Sequence, residues 1–311
     1  MATRFSLCLH IIITSLCSTV YSSDISCRNE DGEPVDWFII YKLPKYKIGE
    51  VGSGVDYMYL DSSAGSWQMS KFMVNTSQGA IGSTLNQLYT GKAYKSNSSV
   101  YGLYNDAPPI LDYIQGYGHT KGLLLFDRSQ GFWLSHTIPH FPSFPERGYL
   151  YPSSGKVNGQ TALCVTYQYE QFLRIAKQMA YIYPRFYNCS VPAAFLVDLP
   201  QLAQLCEGTK PTLASDKRVE QLFSTQGDKF VSFVKSEHFV DGADTLSSQD
   251  SEAYEHTPYP RPSEVLPAPK LMQCLLVTLV TFYGLSVDSC RAVIFPILIV
   301  SFVEKMGHFY N

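Results

Sequence analysis

Two apolar runs constrain the fold more than any other part of the chain. Lys121-Gly122-Leu123-Leu124-Leu125-Phe126 is followed, after the polar Arg128-Ser129-Gln130, by Gly131-Phe132-Trp133-Leu134-Ser135-His136. Each is strand length rather than helix length, and the polar break between them suits a short turn. Side chains at i and i+2 of a strand point the same way, so His119 and Lys121 are expected to project together from one face. Around this pair the pattern is mixed. Val35–Tyr41, Val100–Tyr104 and Thr161–Gln168 read as strands, and Val55–Leu60 with Trp67–Ser70 reads as a hairpin around the turn-forming Asp61 to Gly65. Ile81–Tyr89 and Tyr169–Ile182 place apolar residues at helical spacing, the second ended by Pro184, and a further helix is expected around Lys217–Phe223 before the apolar segment Phe230–Val234. Strands and helices so mixed indicate an α/β or α+β layered fold over residues 23–241.

The N-terminus indicates the compartment. Arg4, an apolar run from Phe5 to Val20 and the small-residue end at Ser22 read as a secretory signal peptide over residues 1–22. The chain has 24 basic and 27 acidic residues; without that segment, which holds one basic and no acidic residue, the formal net charge moves from −3 to −4. An acidic surface repels nucleic acid at neutral pH, whereas below about pH 5 carboxylates titrate and exposed histidines become cationic. A DNA ligand therefore fits an acidic vesicle.

Export also fits the cysteines. Cys8 and Cys17 leave with the signal; Cys27, Cys164, Cys189 and Cys206 are expected to form two disulfides, Cys27 clipping the mature end onto the core. Zinc is the rival for these four, but no CxxC is present and the spacings are not ligand spacings. The sequons at Asn75, Asn97 and Asn188 are glycosylation candidates consistent with luminal passage.

Beyond residue 241 the composition changes. Residues 242–270 hold five prolines between Pro258 and Pro269 with serines and acidic residues, a linker composition. Residues 271–311 form a hydrophobic tail. Leu271–Val287 is uncharged, and membrane contact through 271–303 is an expectation of its apolarity, although seventeen residues are at the low edge for a span. An interfacial tail is the alternative.

Gly118-His119-Thr120-Lys121-Gly122, with Asp127 six residues beyond the lysine, resembles the first histidine-lysine motif of the deoxyribonuclease II family, a divergent branch of the phospholipase D superfamily. The resemblance extends to Ile25–Glu30, Val35–Phe38, Tyr41–Lys45, Leu103–Asp106, Gly131–Leu134 and His136–Pro139, in the family's order. It implies a phospholipase D-like layered fold, a mixed sheet with flanking helices, and cleavage of DNA phosphodiesters through a phosphohistidine that leaves 3′-phosphates. It also implies a lysosomal location, with secretion or membrane tethering as alternatives. His119 would be the nucleophile or its acid partner, and Lys121 would hold the phosphate oxygens. Asp127 and His136 are supporting candidates. No cofactor or metal is implied, since Lys and protonated His supply the positive charge. A zinc-protease pattern also fails for His136 and His140, because Pro139 lies between them and no Glu adjoins His136.

The family's fold is a pseudo-dimer of two halves, each with one such motif. Here His238, His256 and His308 have no lysine two residues later, and the linker and tail stand where a second half is expected. Two readings follow: a nuclease completed by a second copy of the chain as a homodimer, or a non-catalytic binding or membrane-tethered form.

Overall fold

The computed structural model describes residues 24–45, 52–213, 217–235 and 277–280. In chain order the first elements are β1 (Cys27–Arg28), β2 (Pro34–Val35), β3 (Trp37–Lys42), β4 (Tyr57–Asp61), β5 (Gln68–Met69), α1 (Gly79–Tyr89), β6 (Val100–Asn105), β7 (Lys121–Phe126) and β8 (Gln130–His136). They are followed by α2 (Ser154–Val157), β9 (Gln160–Gln168), α3 (Tyr169–Ile182), β10 (Phe186–Ser190), α4 (Pro200–Cys206), β11 (Lys217–Phe223), β12 (Lys229–Lys235) and β13 (Val277–Val280).

Eight strands form one sheet in the order β10-β6-β7-β8-β9-β3-β4-β5. The layered α+β class expected from the pattern holds, but every described ladder is antiparallel, so the strand directions are not mixed. The reason lies in the connections. The β7–β8 link is a tight turn in which the Asp127 carboxylate accepts the backbone N–H groups of Ser129 (2.7 Å) and Gln130 (3.0 Å). The two longer helices, α1 between β5 and β6 and α3 between β9 and β10, each join strands that are not neighbours, so neither builds a parallel pair.

The unbroken apolar runs of β7 and β8 are explained by burial on both faces. Leu123 and Leu125 point into a core with α1 residues Ile81, Leu85 and Leu88, while Leu124 and Phe126 point into a second core with Phe172, Ile175 and Met179 of α3. Fully burying a side chain of this size contributes about 2 kcal/mol, so a strand apolar at both parities is stable only as a middle layer. Helix α3 has the expected bounds, ends with Tyr183 in the left-handed region (φ 48°) and cannot continue through Pro184.

The segment Lys217–Phe223, expected as a helix, is instead strand β11, paired in register with β12 from Lys217↔Lys235 to Phe223↔Lys229. Val219, Leu222 and Phe223 suit helical spacing, but only Leu222 is buried, where it joins Phe230 beneath α3. Cross-strand pairing and that contact outweigh the weak local preference. Asp36 accepts the Thr225 hydroxyl (2.6 Å) and the Gln226 N–H (3.0 Å), and the Trp37 indole donates to Asp228 (2.7 Å), fixing the β11–β12 turn to the start of β3.

Both expected disulfides form. Cys27–Cys164 ties β1 to β9 (Cα–Cα 5.9 Å), and Cys189–Cys206 ties the edge strand β10 to α4 (6.0 Å). Asn75 and Asn97 are exposed, whereas Asn188 lies half-buried on β10 and accepts the Tyr101 hydroxyl (2.8 Å). The signal segment and the linker lie outside the described residues, as does the tail apart from Val277–Val280, which pair antiparallel with Phe230–Phe233. Among the described residues no helix is long and apolar enough to cross a membrane.

Candidate active site

The site lies at one end of β6 and β7. Pairing of the two strands sets Asn105 opposite Lys121, so the residue after each strand end, Asp106, stands beside the start of β7. The Lys121 ammonium forms an ion pair with Asp106 Oδ1, and His119 Nε2 lies 3.4 Å from Asp106 Oδ2. His119 and Lys121 are therefore brought together through the carboxylate of Asp106, which no local sequence pattern relates to them. Burial separates their roles: the Lys121 side chain is 8% exposed and that of Asp106 13%, while that of His119 is 63% exposed. His119 precedes β7 in a bend, so a shared strand face is not what aligns it with Lys121. Asp106 does that.

The surrounding frame is tight. A Cβ at Gly118 would sit 2.0 Å from the Ile182 carbonyl oxygen, and one at Gly122 would sit 2.2 Å from the Tyr104 hydroxyl and 2.5 Å from the Leu134 carbonyl oxygen. The glycines on either side of His119-Thr120-Lys121 thus allow the segment to pass between the end of α3 and the sheet. Buried Asn105 donates to the carbonyls of Ile138 (3.1 Å) and Phe141 (2.8 Å) and accepts the Ala107 N–H (2.9 Å), fixing the loop after β8 against the end of β6.

His136 follows Ser135, which pairs with Gly122, and so ends β8 next to the Lys121 end of β7. Its ring is buried edge-on to Phe141 (5.4 Å), and its Nδ1 accepts the Ile138 N–H (3.1 Å). Desolvation, together with the nearby Lys121 charge, pushes its pKa down to about 3. Burial therefore favours the neutral form of this imidazole. Among the described residues its Nε2 has no hydrogen-bond partner. Asp127 is not brought to the cluster: it sits at the opposite end of β7, holding the turn into β8. His140, also outside the cluster as read from the sequence, is exposed on the loop after β8. Among the described residues no three His, Cys, Asp or Glu side chains gather as a metal site.

Asn105 and Asp106 end a strand that is otherwise apolar or Gly apart from its tyrosines. The sequence signal for them was two polar residues closing a strand, but their relation to Lys121 depends on a register across fifteen residues of intervening chain, which local pattern does not encode.

An acidic, a basic and an exposed imidazole group thus meet at one strand end. The family model described as Deoxyribonuclease II matches residues 26–247. Human deoxyribonuclease-2-beta is 44% identical over 233 residues, covering 74% of this chain and 64% of the relative. Mouse deoxyribonuclease-2-alpha is 37% identical over 248 residues (78% and 67%), and plancitoxin-1 of Acanthaster planci is 36% identical over 220 residues (69% and 61%). The matched region spans about two thirds of the length of these relatives. On the matched residues and the order of its motifs, this chain belongs to the deoxyribonuclease II family.

Proposed function

We propose that the chain is an acid, metal-independent phosphodiesterase acting on DNA in a lysosomal or secreted setting. The observation that carries this reading is the convergence of buried Lys121 and exposed His119 on Asp106. A carboxylate facing Nε2 favours the proton on that nitrogen and leaves Nδ1 with a lone pair for attack on phosphorus. The Lys121 ammonium, held in a poorly solvated position, stabilises the charge that develops on the non-bridging phosphate oxygens. The N–P bond forms as the bond to the 5′ oxygen breaks, so that water later releases a 3′-phosphate.

A second reading is favoured by one observation: a single histidine-lysine pair occurs among the described residues. In that reading two copies supply two such pairs, or the chain binds DNA or partners without cleaving. Cleavage of plasmid DNA by the full chain at about pH 5 in EDTA, across a concentration series and beside His119→Ala, separates these cases. Cleavage lost in the variant supports the nuclease. A rate per chain that rises with concentration assigns the site to two copies, and no cleavage by folded protein leaves the binding role. Activity that needs a divalent ion sinks the mechanism.

A further inference from the structure

Burying a cation is costly unless an opposite charge or hydrogen bonds satisfy it. Among the described residues three lysine or arginine residues are buried: Lys42, Lys121 and Arg185. Lys121 is paired with Asp106. The Lys42 ammonium donates to two backbone carbonyls, those of Lys156 (3.0 Å) and Asn158, and so fastens the end of β3 to α2. Arg185 is different. A guanidinium presents a fork of N–H donors, yet among the described residues this one makes a single hydrogen bond, from Nη1 to the Asp112 carbonyl (2.5 Å), and no carboxylate pairs with it. Arg185 is 8% exposed, and its remaining nitrogens are not cut off from solvent.

Its place in the fold is beside the site. The Arg185 carbonyl accepts the Asn105 N–H (3.1 Å), and Asn105 pairs on its other side with Lys121. Arg185, Asn105 and Lys121 therefore form one row across neighbouring strand ends, with Arg185 and Lys121 two strand spacings, ~10 Å, apart. Asp112 belongs to the segment between Asp106 and His119, so the guanidinium lies against the loop that joins those two groups. The same corner is held at two further points: the Gly118 N–H donates to the Tyr183 carbonyl (2.9 Å), and the Tyr117 and Tyr183 rings stack at 4.9 Å. Asp106, next to Asn105, is already engaged by Lys121 and His119.

We infer that Arg185 binds a second phosphate of the DNA strand, next to the one held by Lys121. The inference rests on the proposed phosphodiesterase reading and deepens it, since the substrate is then recognised through two consecutive phosphates. An anion supplies the counter-charge that Arg185 lacks, and the planar fork matches a pair of phosphate oxygens. Two long side chains set this far apart on one row can reach consecutive phosphates of one strand. No bond forms or breaks at Arg185. It fixes the register of the strand, and so which phosphodiester lies over Lys121 and His119.

Arg185→Gln keeps an N–H for the Asp112 carbonyl and removes the charge, whereas Arg185→Lys keeps the charge and loses the fork. The probes are labelled oligothymidylates whose linkages are uncharged methylphosphonates, except for one natural phosphodiester, or for that one and a second natural phosphate on its 5′ or 3′ side. Binding is read by fluorescence anisotropy in the His119→Ala background, and cleavage with His119 intact, at about pH 5 in EDTA. On one of the two sides, the second phosphate is expected to tighten binding and lower KM about 10–100-fold, with little effect on kcat. Arg185→Gln should erase that gain. Arg185→Lys should lose part of it, and carries the test if the glutamine variant does not fold. Equal losses on the one-phosphate and two-phosphate probes are what a residue that only ties the loop would give, and they would overturn the inference. So would a gain that survives in both variants, or no gain on either side with Arg185 in place; each leaves the His119 reading untouched. A chain that binds the second phosphate through Arg185 but cuts no DNA loses the nuclease reading and keeps this site, and one that neither binds nor cuts loses both.

Discussion

Asp106 presents one carboxylate oxygen to Lys121 and turns the other toward His119, and the consequences can be measured residue by residue. Asp106→Asn leaves a nearly buried ammonium without its counter-charge, which should cost about 3 kcal/mol in urea unfolding. Adding Lys121→Met should recover most of that stability and none of the activity, because the double change removes the stranded charge but also the group that binds phosphate. A double variant no more stable than Asp106→Asn would show that the pair contributes through something other than charge. His136 makes a separate prediction about pH. Its folded pKa, about 3, lies below the ordinary value of 6.5, so the unfolded chain binds the extra proton first. The cost is absent above about pH 6.5 and accrues as pH falls toward about 3, at up to 1.4 kcal/mol per unit. Stability measured from pH 7 to 4 should therefore fall less steeply in His136→Gln than in the wild type.

At the scale of elements, the site depends on how closely β7 enters the sheet. Gly122 sits between the Tyr104 hydroxyl and the Leu134 carbonyl, so Gly122→Ala forces β6, β7 or β8 to move. A loss of about 1–3 kcal/mol is expected, accompanied by a fall in DNA cleavage larger than the stability loss explains. An alanine variant of wild-type activity would show that the close approach is not what positions Lys121. Element type was legible where periodicity and length agreed, as in α3 with its stripe Phe172, Ile175, Ala176, Met179, and in the β7–β8 pair. It failed at β11, where three apolar residues in seven fit a helix turn and only the β12 partner decides. Strand β10 and helix α4 carry no strong pattern of their own; β10 is half-buried throughout, and the Cys189–Cys206 bridge joins the two.

For the whole molecule, the antiparallel sheet is a central layer with a core on each side, and Cys27–Cys164 ties the start of the described chain to β9 near its middle. That bridge closes a loop with sequence separation 137, so the paired change Cys27→Ser with Cys164→Ser should lower stability by about 4–5 kcal/mol in the chain-entropy account. An unchanged thermal midpoint would mean that the unfolded chain is already constrained there. The sequence alone determined the family, the layered class, the two buried central strands, the four bridging cysteines and the histidine-lysine pair. All of these are set by residue identity or by short-range periodicity, which neighbouring residues carry in themselves. Only the tertiary structure decided that Asp106 joins that pair and Asp127 does not, that Lys217–Phe223 is a strand, and that Asn105 fixes the loop after β8 against the end of β6. Each of these depends on strand register and on contacts between residues distant in sequence, where burial and pairing outweigh any preference the local sequence holds.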